Sequence, residues 1–296
     1  MKQILAVFSV IFSLFFLNAC DDEKSNAISE SKVIRFQVEI PNHEPEAGTE
    51  TTRVDVNTLK FEHEDEIGLF VVKRDKEQST NFVDNAKMTY DSHTNTWVVY
   101  PPVSYFPSDK SPDVMFDFYA YYPYIRGVDP TAMKIWGVLD NQENSINLGR
   151  SDFMTACKTN YIISNEFVKL SFTHHFSLVT LEYHIGSGQS LPFIGIRSAQ
   201  YIVDTFRLDS VAKGVSSLTC ERRLDGDILT GMSPLKIAEG SGITTYAYQA
   251  IVVPQILDDG PLFYTLKKDD NQFFSINTQD AFMGFERGKA YRFSAN

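Results

Sequence analysis

Two adjacent histidines, His174 and His175, are the residues whose side chains most readily suggest a metal site. They lie in a run of alternating apolar residues that predicts a β-strand, and neighbouring side chains on a strand point to opposite faces. The two rings therefore cannot easily ligate one ion. The other histidines are scattered, and neither His-Glu-x-x-His nor Cys-x-x-Cys occurs. We expect no metal site, and we expect His174 to be a hydrogen-bonded core residue.

Motifs for catalysis are also missing from the sequence. There is no Gly-x-Ser-x-Gly elbow and no phosphate-binding loop, and the short stretches "GSGQS" and "EGSG" favour turns. Carboxylates are abundant, but any acidic chain offers carboxylate pairs, so they do not indicate a glycosidase dyad. We predict no catalytic residue, no cofactor and no enzymatic activity.

Cys20 is the cysteine with the clearest chemical context. Lys2 and the uncharged apolar residues 4–17 have the pattern of a signal peptide, predicted to cover residues 1–19. As a helix, the apolar part would span about 21 Å, short of the roughly 30 Å hydrocarbon core of a membrane. The quartet "LNAC" that ends at Cys20 resembles the lipobox of bacterial lipoproteins, which implies acylation of the Cys20 thiol. The alternative is an ordinary signal peptide with a cysteine nearby.

An acylated Cys20 would attach the protein to a membrane without a spanning helix. Residues 20–31 are polar and predict a lipid-anchored, flexible tether. Asp21, Asp22 and Glu23 resemble the export signal of Bacteroides-type lipoproteins, which implies a surface-exposed lipoprotein of the outer membrane. In enteric bacteria an Asp at this place favours retention at the inner membrane, so both rules stay open.

Cys157 and Cys220 are the remaining cysteines. In an exported protein they could form a disulfide, which would stabilise the fold by about 4 kcal/mol. Otherwise we expect both to be buried small apolar residues.

Composition limits the class of protein. The chain has 296 residues, 43% of them hydrophobic and 13% aromatic, and a net charge of −11. This supports a well-filled core in one large or two ordinary domains. Nucleic-acid binding is excluded because it requires Lys and Arg concentrated on one face, and no basic stripe occurs.

Period-two alternation dominates the chain and predicts an all-β fold. In residues 33–40, the side chains of Ile34, Phe36, Val38 and Ile40 share one face, as in a half-buried strand. Further strands are predicted at 66–73, 96–100, 113–124, 165–185, 201–208, 244–254, 262–268, 272–278 and 289–296. Residues 41–53, rich in Pro, Gly, Thr and Glu, predict a long exposed loop. The only helical signal is one short turn within 277–290.

The alternation changes phase within residues 165–185. Apolar residues occupy even positions from Leu170 to Leu178 and odd positions from Val179 to Ile185. Such a slip indicates a β-bulge or a break between two strands. A boundary between two strand-rich halves is predicted at 155–165, which divides the chain into β-sandwiches at 32–160 and 161–296.

The aromatic run "FDFYAYYPY" could form a sugar-binding platform. Alternation places Phe116, Phe118 and Ala120 on one face and Tyr119 and Tyr121 on the other. We expect core packing together with a partly exposed tyrosine face.

Several stretches resemble the fimbrillin family, the lipoprotein pilins and pilus-associated proteins of type V pili. They are "EIGLFV", "YPPVSYFPSD", "FYAYYPY", "SDFMTA", "KLSFTHHFSLVTLEY", "IVVPQ" and "FERGKAYRF", and they occur in family order from about residue 33 to the end. The resemblance implies two transthyretin-like β-sandwich domains in tandem.

The resemblance also implies a processing site. In family pilins a protease cuts after an Arg in the loop that follows the first strand, and a strand from a neighbouring subunit fills the groove that opens. The matching position is Arg53, and the strand to be displaced would carry Ile34, Phe36, Val38 and Ile40. Exposed polar loops tolerate proteolysis. The alternative is a solvated loop arginine. The chain continues for only four residues beyond Arg292, so a C-terminal donor segment is not obvious, and tip, anchor and accessory roles stay open besides the stalk.

The predicted function is therefore that of a structural or adhesive pilus component, a surface lipoprotein located in the outer membrane and the fimbrium. Its expected partners are other pilus subunits, joined by β-strand addition, the membrane lipid at Cys20, and a host or bacterial surface receptor. The alternative is a non-pilus surface lipoprotein that binds glycans, with Tyr119 and Tyr121 as the residues to test.

Overall fold

The computed structural model of the protein describes residues 32–45, 59–76, 79–128, 134–198, 201–204, 228–257, 260–267, 272–276 and 284–295. Its strands are, in chain order, β1 (Lys32–Val33), β2 (Phe36–Glu39), β3 (Glu44–Pro45), β4 (Glu66–Arg74), β5 (Ser79–Asp91), β6 (Thr96–Tyr100), β7 (Ser104–Tyr105), β8 (Met115–Tyr122), β9 (Lys134–Gly137), β10 (Met154–Tyr161), β11 (Val168–His174), β12 (Ser177–Gly186), β13 (Ile194–Ser198), β14 (Tyr201–Asp204), β15 (Ile228–Gly231), β16 (Ser233–Gly240), β17 (Ile243–Val252), β18 (Gln255–Ile256), β19 (Phe263–Lys267), β20 (Gln272–Ile276), β21 (Gly284–Phe285) and β22 (Lys289–Ser294). The helical elements are α1 (Ser145–Arg150) and a 3-10 turn at Pro107–Lys110. The predicted all-β class is confirmed.

Three sheets carry most of the structure. The first has seven strands in the order β2-β11-β10-β8-β4-β5-β6, the second has five in the order β16-β17-β12-β22-β3, and the third has four in the order β15-β13-β19-β20. Most neighbours are antiparallel, but β2 runs parallel to β11, and β22 runs parallel to both β12 and β3. The edge strands β2 and β6 of the first sheet also lie against each other, so that sheet curls around its own core.

Three apolar cores separate these layers. The first core lies inside the curled first sheet and includes Leu69, Phe118, Leu170 and Phe172. The middle core lies between the first and second sheets and joins Phe70, Tyr119 and Tyr121 to Phe176, Leu178 and Ile251. The third core lies between the second and third sheets and includes Val179, Leu181, Ile196 and Phe263. The central strands of the first two sheets are therefore covered on both faces.

The middle core explains why the expected exposed tyrosine face is wrong. β8 lies between β10 and β4, where Phe118 faces the first core and Tyr119 and Tyr121 face the middle core. Both tyrosine side chains are buried. Alternation correctly separated the two faces of the strand, but a second layer of the fold covers the tyrosine face.

The phase slip in residues 165–185 is a break between two strands. β11 ends at His174 in the first sheet, and β12 begins at Ser177 in the second sheet. Phe176, between them, turns into the middle core. The first sheet continues past the predicted domain boundary at 160/161, to His174. The division into two domains stays a proposal.

Some elements gave no signal that the sequence pattern could detect. β10 occupies the stretch expected to be a domain boundary, and most of its residues after Ala156 are exposed and polar. β5 is long and bent by register shifts against β4. α1 begins where the Asn144 side chain accepts a hydrogen bond from the Asn147 backbone N–H at 2.9 Å.

Among the described residues, no helix is sufficiently long and apolar to cross a membrane.

Candidate functional site

The first described residues, 32–45, form an N-terminal segment that contacts both large sheets. β1 pairs with β7, and β2 pairs in parallel with β11 at the edge of the first sheet. A few residues later, β3 pairs in parallel with β22 at the edge of the second sheet. Residues 33–40 were expected to form a single strand. They instead contribute to two short strands, β1 and β2, which pair with β7 and β11 respectively. The segment ties the two sheets together from outside.

The alternation predicted for the N-terminal segment is present in the structure. Ile34 and Phe36 are buried in the first core, and Val38 and Ile40 are half-buried against it. Phe36 meets Phe118 edge-on, with 5.6 Å between ring centroids. These four side chains hold the segment by burial of apolar surface.

Polar contacts of the N-terminal segment are mostly exposed. The Arg35 guanidinium donates to the Asn165 carbonyl at 2.7 Å and lies 4.4 Å over the Phe167 ring. Lys289 pairs with Glu44 at 2.6 Å. Exposed ion pairs contribute little to stability, because water screens their charges. The polar contacts therefore set register, and the apolar contacts supply most of the stabilisation.

An apolar groove of about 1010 Å³ runs between the N-terminal segment and the opposite edge of the first sheet. Val38, Phe61, Trp97, Val99 and Phe167 are among the residues that line it. The exposed edge of β6, with Val98 and Tyr100 outward, borders the same groove. A groove of apolar pockets beside strand edges that have no partner among the described residues is suited to accept an extended peptide by β-strand addition.

A buried polar cluster lies where the N-terminal segment passes from one sheet to the other. It consists of His43, between β2 and β3; Asp152, between α1 and β10; and His174, the last residue of β11. His174 Nδ1 lies 2.7 Å from Asp152 Oδ2, and its Nε2 lies 2.7 Å from the Pro41 carbonyl oxygen. The two imidazole rings stack with centroids 3.7 Å apart. His43 Nε2 lies 3.8 Å from Asp152 Oδ1.

The two histidines of this cluster differ in charge preference. Burial lowers the pKa of His43 to about 4, although the Asp152 charge partly opposes this. Burial also acts to lower the pKa of His174. There, the charge and hydrogen bond of Asp152 and the Pro41 carbonyl outweigh it, so the pKa is raised. His43 is therefore neutral at pH 7, whereas His174 is favoured as the charged partner of Asp152.

His175 does not join this cluster. Its Nε2 lies 2.7 Å from the Thr155 hydroxyl, and burial lowers its pKa to about 3. The adjacent histidines thus have separate partners, although β11 ends at His174 and His175 lies in the break that follows it. His174 is a hydrogen-bonded core residue as expected. A second histidine cluster, His63, Asp91 and His93, lies on the surface.

Several predicted residues lie outside the described part of the chain: Cys20, Arg53 and Cys220. Cys157 is exposed, so its expected burial is wrong, and its pairing with Cys220 stays a prediction. The long loop expected at 41–53 is wrong at its start, because His43 is buried and β3 is a strand. The local composition is polar, but contacts with the second sheet order these residues.

His43 and Asp152 were not singled out from the sequence. Each lies in a polar, turn-rich stretch without period-two alternation, and they are far apart in the chain. The only available signal was the apolar phase of His174, which marked a buried polar ring in need of partners. Only the fold brings the three residues together.

Comparison with known proteins identifies the family. A family model described as Fimbrillin-like matches residues 52–296. A candidate cell adhesion protein from Bacteroides ovatus has a similar structure, with TM-score 0.57, 18% identity, and coverage of 90% of this chain and 92% of that one. Another from Bacteroides uniformis has TM-score 0.51 and 17% identity, with 80% and 88% covered. At these identities the solved structures indicate a shared fold.

A search of the curated proteins finds no match. The family model covers most of the chain, including β4 to β22, and the architecture agrees with that of the two solved structures. The chain therefore belongs to the fimbrillin-like family of pilus and adhesion proteins.

Proposed function

We propose that the protein is a structural or adhesive subunit of a type V-like pilus, exported as a surface lipoprotein and assembled by donor-strand exchange. The observation that carries this proposal is the placement of the N-terminal segment. It consists of three short strands at sheet edges, and the apolar side chains of residues 34–40 fill the first core, so it is replaceable by another strand of similar pattern.

Exchange would act at β11 and the groove. Loss of the N-terminal segment leaves one edge of β11 unpaired and empties the places of Ile34 and Phe36. A donor strand from a neighbouring subunit would pair with β11 and refill those places. Because the groove is already open beside β2, a donor can begin to bind before the segment has left.

Processing at Arg53 would permit this exchange. A cut there separates the N-terminal segment, and with it the lipid anchor at Cys20, from the body that begins at Val54. The cut by itself leaves the segment bound, since its apolar contacts do not depend on the peptide bond. Departure of the N-terminal segment then requires a competing strand, so the cut permits assembly only where a donor subunit is present.

The test is an Arg53→Ala variant expressed in pilus-forming cells, with Arg53→Lys as the charge-matched control. We expect Arg53→Ala to remain uncleaved by N-terminal sequencing, attached to the membrane, and absent from pili in immuno-electron microscopy. Arg53→Lys distinguishes an arginine-specific protease, which would not cut it, from a trypsin-like one. Entry of Arg53→Ala into pili at the level of the parent would contradict the mechanism.

The burial of the aromatic residues argues against the glycan-binding alternative. Its two candidate residues, Tyr119 and Tyr121, are buried in the middle core and cannot stack on a sugar. Immuno-electron microscopy of assembled pili would distinguish a tip, anchor, accessory or stalk position of the subunit.

A further inference from the structure

The buried cluster of His43, Asp152 and His174 has more acceptor atoms than donors. Asp152 Oδ1 and both ring nitrogens of His43 make no hydrogen bond of good geometry among the described residues, although the Phe176 carbonyl lies close enough to His43 to favour its charged form. The side chains of His43 and Asp152 are almost completely inaccessible to solvent. An unsatisfied buried polar group costs about 1 to 3 kcal/mol, so three such atoms at one place require an explanation.

Protons alone do not satisfy this cluster. His174 Nε2 must carry a hydrogen, because the Pro41 carbonyl can only accept. A second proton on Nδ1 satisfies the contact with Asp152 Oδ2. It leaves Asp152 Oδ1 and His43 Nε2 facing each other at 3.8 Å, too far apart for a hydrogen bond. A single cation bound between the carboxylate and the two rings would give both Asp152 Oδ1 and His43 Nε2 a partner.

The geometry around His174 is typical of a metal ligand. Metal-binding imidazoles usually donate their second ring N–H to a carboxylate or a backbone carbonyl, which fixes the tautomer. Here Nε2–H donates to Pro41 and turns Nδ1 toward Asp152, and a bound cation would displace to solvent the proton that Nδ1 otherwise donates to Asp152 Oδ2. One ligand atom from each of the three side chains lies within 4.8 Å of the others. Ligand atoms around a tetrahedral zinc ion are roughly 3.3 Å apart. The three ligand atoms would therefore have to approach one another, and the stacked rings of His43 and His174 would have to tilt so that their nitrogens converge on the ion.

We propose that His43, Asp152 and His174 bind a divalent transition-metal ion, with Zn²⁺ as the best match to two imidazoles and one carboxylate. Three protein ligands and one water form a common zinc arrangement. The site would exist in the unprocessed chain whatever the role of the protein, because all three residues lie together there.

The ion would fasten the N-terminal segment to the body. His43 belongs to the segment, whereas Asp152 and His174 belong to the first sheet and the connection into β10. Removal of the segment would remove one of the three ligands. Metal binding would therefore stabilise the full chain and would be weakened by loss of residues 32–45.

The experiment uses the purified full chain, stripped with a chelator and titrated with ZnCl₂ by calorimetry and thermal unfolding. The surface residues His63 and His93 could bind the same ion, so all measurements are made in a His63→Ala/His93→Ala background. We expect one equivalent of Zn²⁺ to bind and to raise Tm. No binding and an unchanged Tm would overturn the proposal, and water would then have to satisfy the unpaired polar atoms of the cluster.

Single substitutions then locate the bound ion. His43→Gln and Asp152→Asn keep the approximate volume of each side chain, and each should weaken Zn²⁺ binding by more than the roughly 10- to 100-fold typical of an outer-shell partner. His184→Ala is the matched control, because this exposed ring lies outside the cluster and pairs with the Thr245 hydroxyl. Binding that is unchanged by both buried substitutions would contradict the assignment.

A measurement without substitutions at the site covers the case in which those variants do not fold. Crystals of the background protein grown with Zn²⁺ would show an anomalous peak about 2.0 to 2.2 Å from one atom of each ligand. A peak elsewhere only, or no peak, would refute the site.

Discussion

Single residues in the middle core show how closely the layers pack. Tyr121 pairs across strands with Gly68 and lies over it, and the Tyr121 hydroxyl donates to Asn85 Oδ1 at 2.7 Å. A Cβ atom at Gly68 would lie 2.1 Å from the ring. The ring is buried and hydrogen-bonded, so it has little freedom to move away. Gly68 is therefore required because a Cβ atom at this position would clash with the Tyr121 ring.

We expect Gly68→Ala to lower the free energy of unfolding by about 1 to 3 kcal/mol, the usual cost of overpacking a core. Urea unfolding followed by tyrosine fluorescence measures the change. Gly240→Ala in β16 is the control, since a Cβ atom there meets nothing within 4 Å. Equal stabilities of the two variants would show that the middle core is looser than the structure indicates.

At the scale of elements, the N-terminal segment combines substantial burial with weak backbone pairing. Burial of an apolar side chain contributes roughly 1.5 to 3 kcal/mol, but Val38 and Ile40 are only half-buried. The backbone bonds are few, because β1, β2 and β3 are short and each lies at an edge. The segment is therefore held by side chains more than by its ladder, as a replaceable strand must be.

Substitutions on the two faces of β2 test this balance. Phe36→Ala removes a ring buried against Phe118 and should lower the free energy of unfolding by about 3 to 5 kcal/mol. Gln37→Ala, on the exposed face of the same strand, should change it by about 0.5 kcal/mol or less. Hydrogen exchange of the β11 amides should rise only in Phe36→Ala. A similar small effect of both substitutions would mean that the segment is not part of the core.

At the scale of the whole molecule, we propose that an acylated Cys20 attaches the folded protein to a membrane. Cys20 precedes β1, the first described strand, in the sequence. Acyl chains contribute about 0.8 kcal/mol per buried methylene, so lipid on one cysteine can hold the whole protein at a membrane.

Detergent partitioning of two cysteine variants checks this attachment. We expect Cys20→Ser to move from the detergent phase to the aqueous phase, because the acylated thiol is lost. Cys157→Ser is the matched control, since Cys157 is exposed on the folded body and should not affect partitioning. Retention of Cys20→Ser in the detergent phase would refute lipid attachment at this residue.

The sequence by itself determined the strand-rich class, the family and the faces of individual strands. Alternation is a local property of the chain, so the burial of Ile34 and Phe36 could be predicted, as could a bulge or a break within residues 165–185, although not its exact place after His174. β10 was missed because its residues after Ala156 are mostly polar and exposed, and only its neighbours β8 and β11 hold it in the sheet.

Only the tertiary structure decided which faces are covered and which distant side chains meet. Tyr119 and Tyr121 are buried because the second sheet packs over their face, a fact that no local pattern contains. His43 reaches Asp152 and His174 because the N-terminal segment crosses from one sheet to the other at that point. Contacts between residues so far apart in the chain depend on how whole layers pack, and strand periodicity carries no information about that packing.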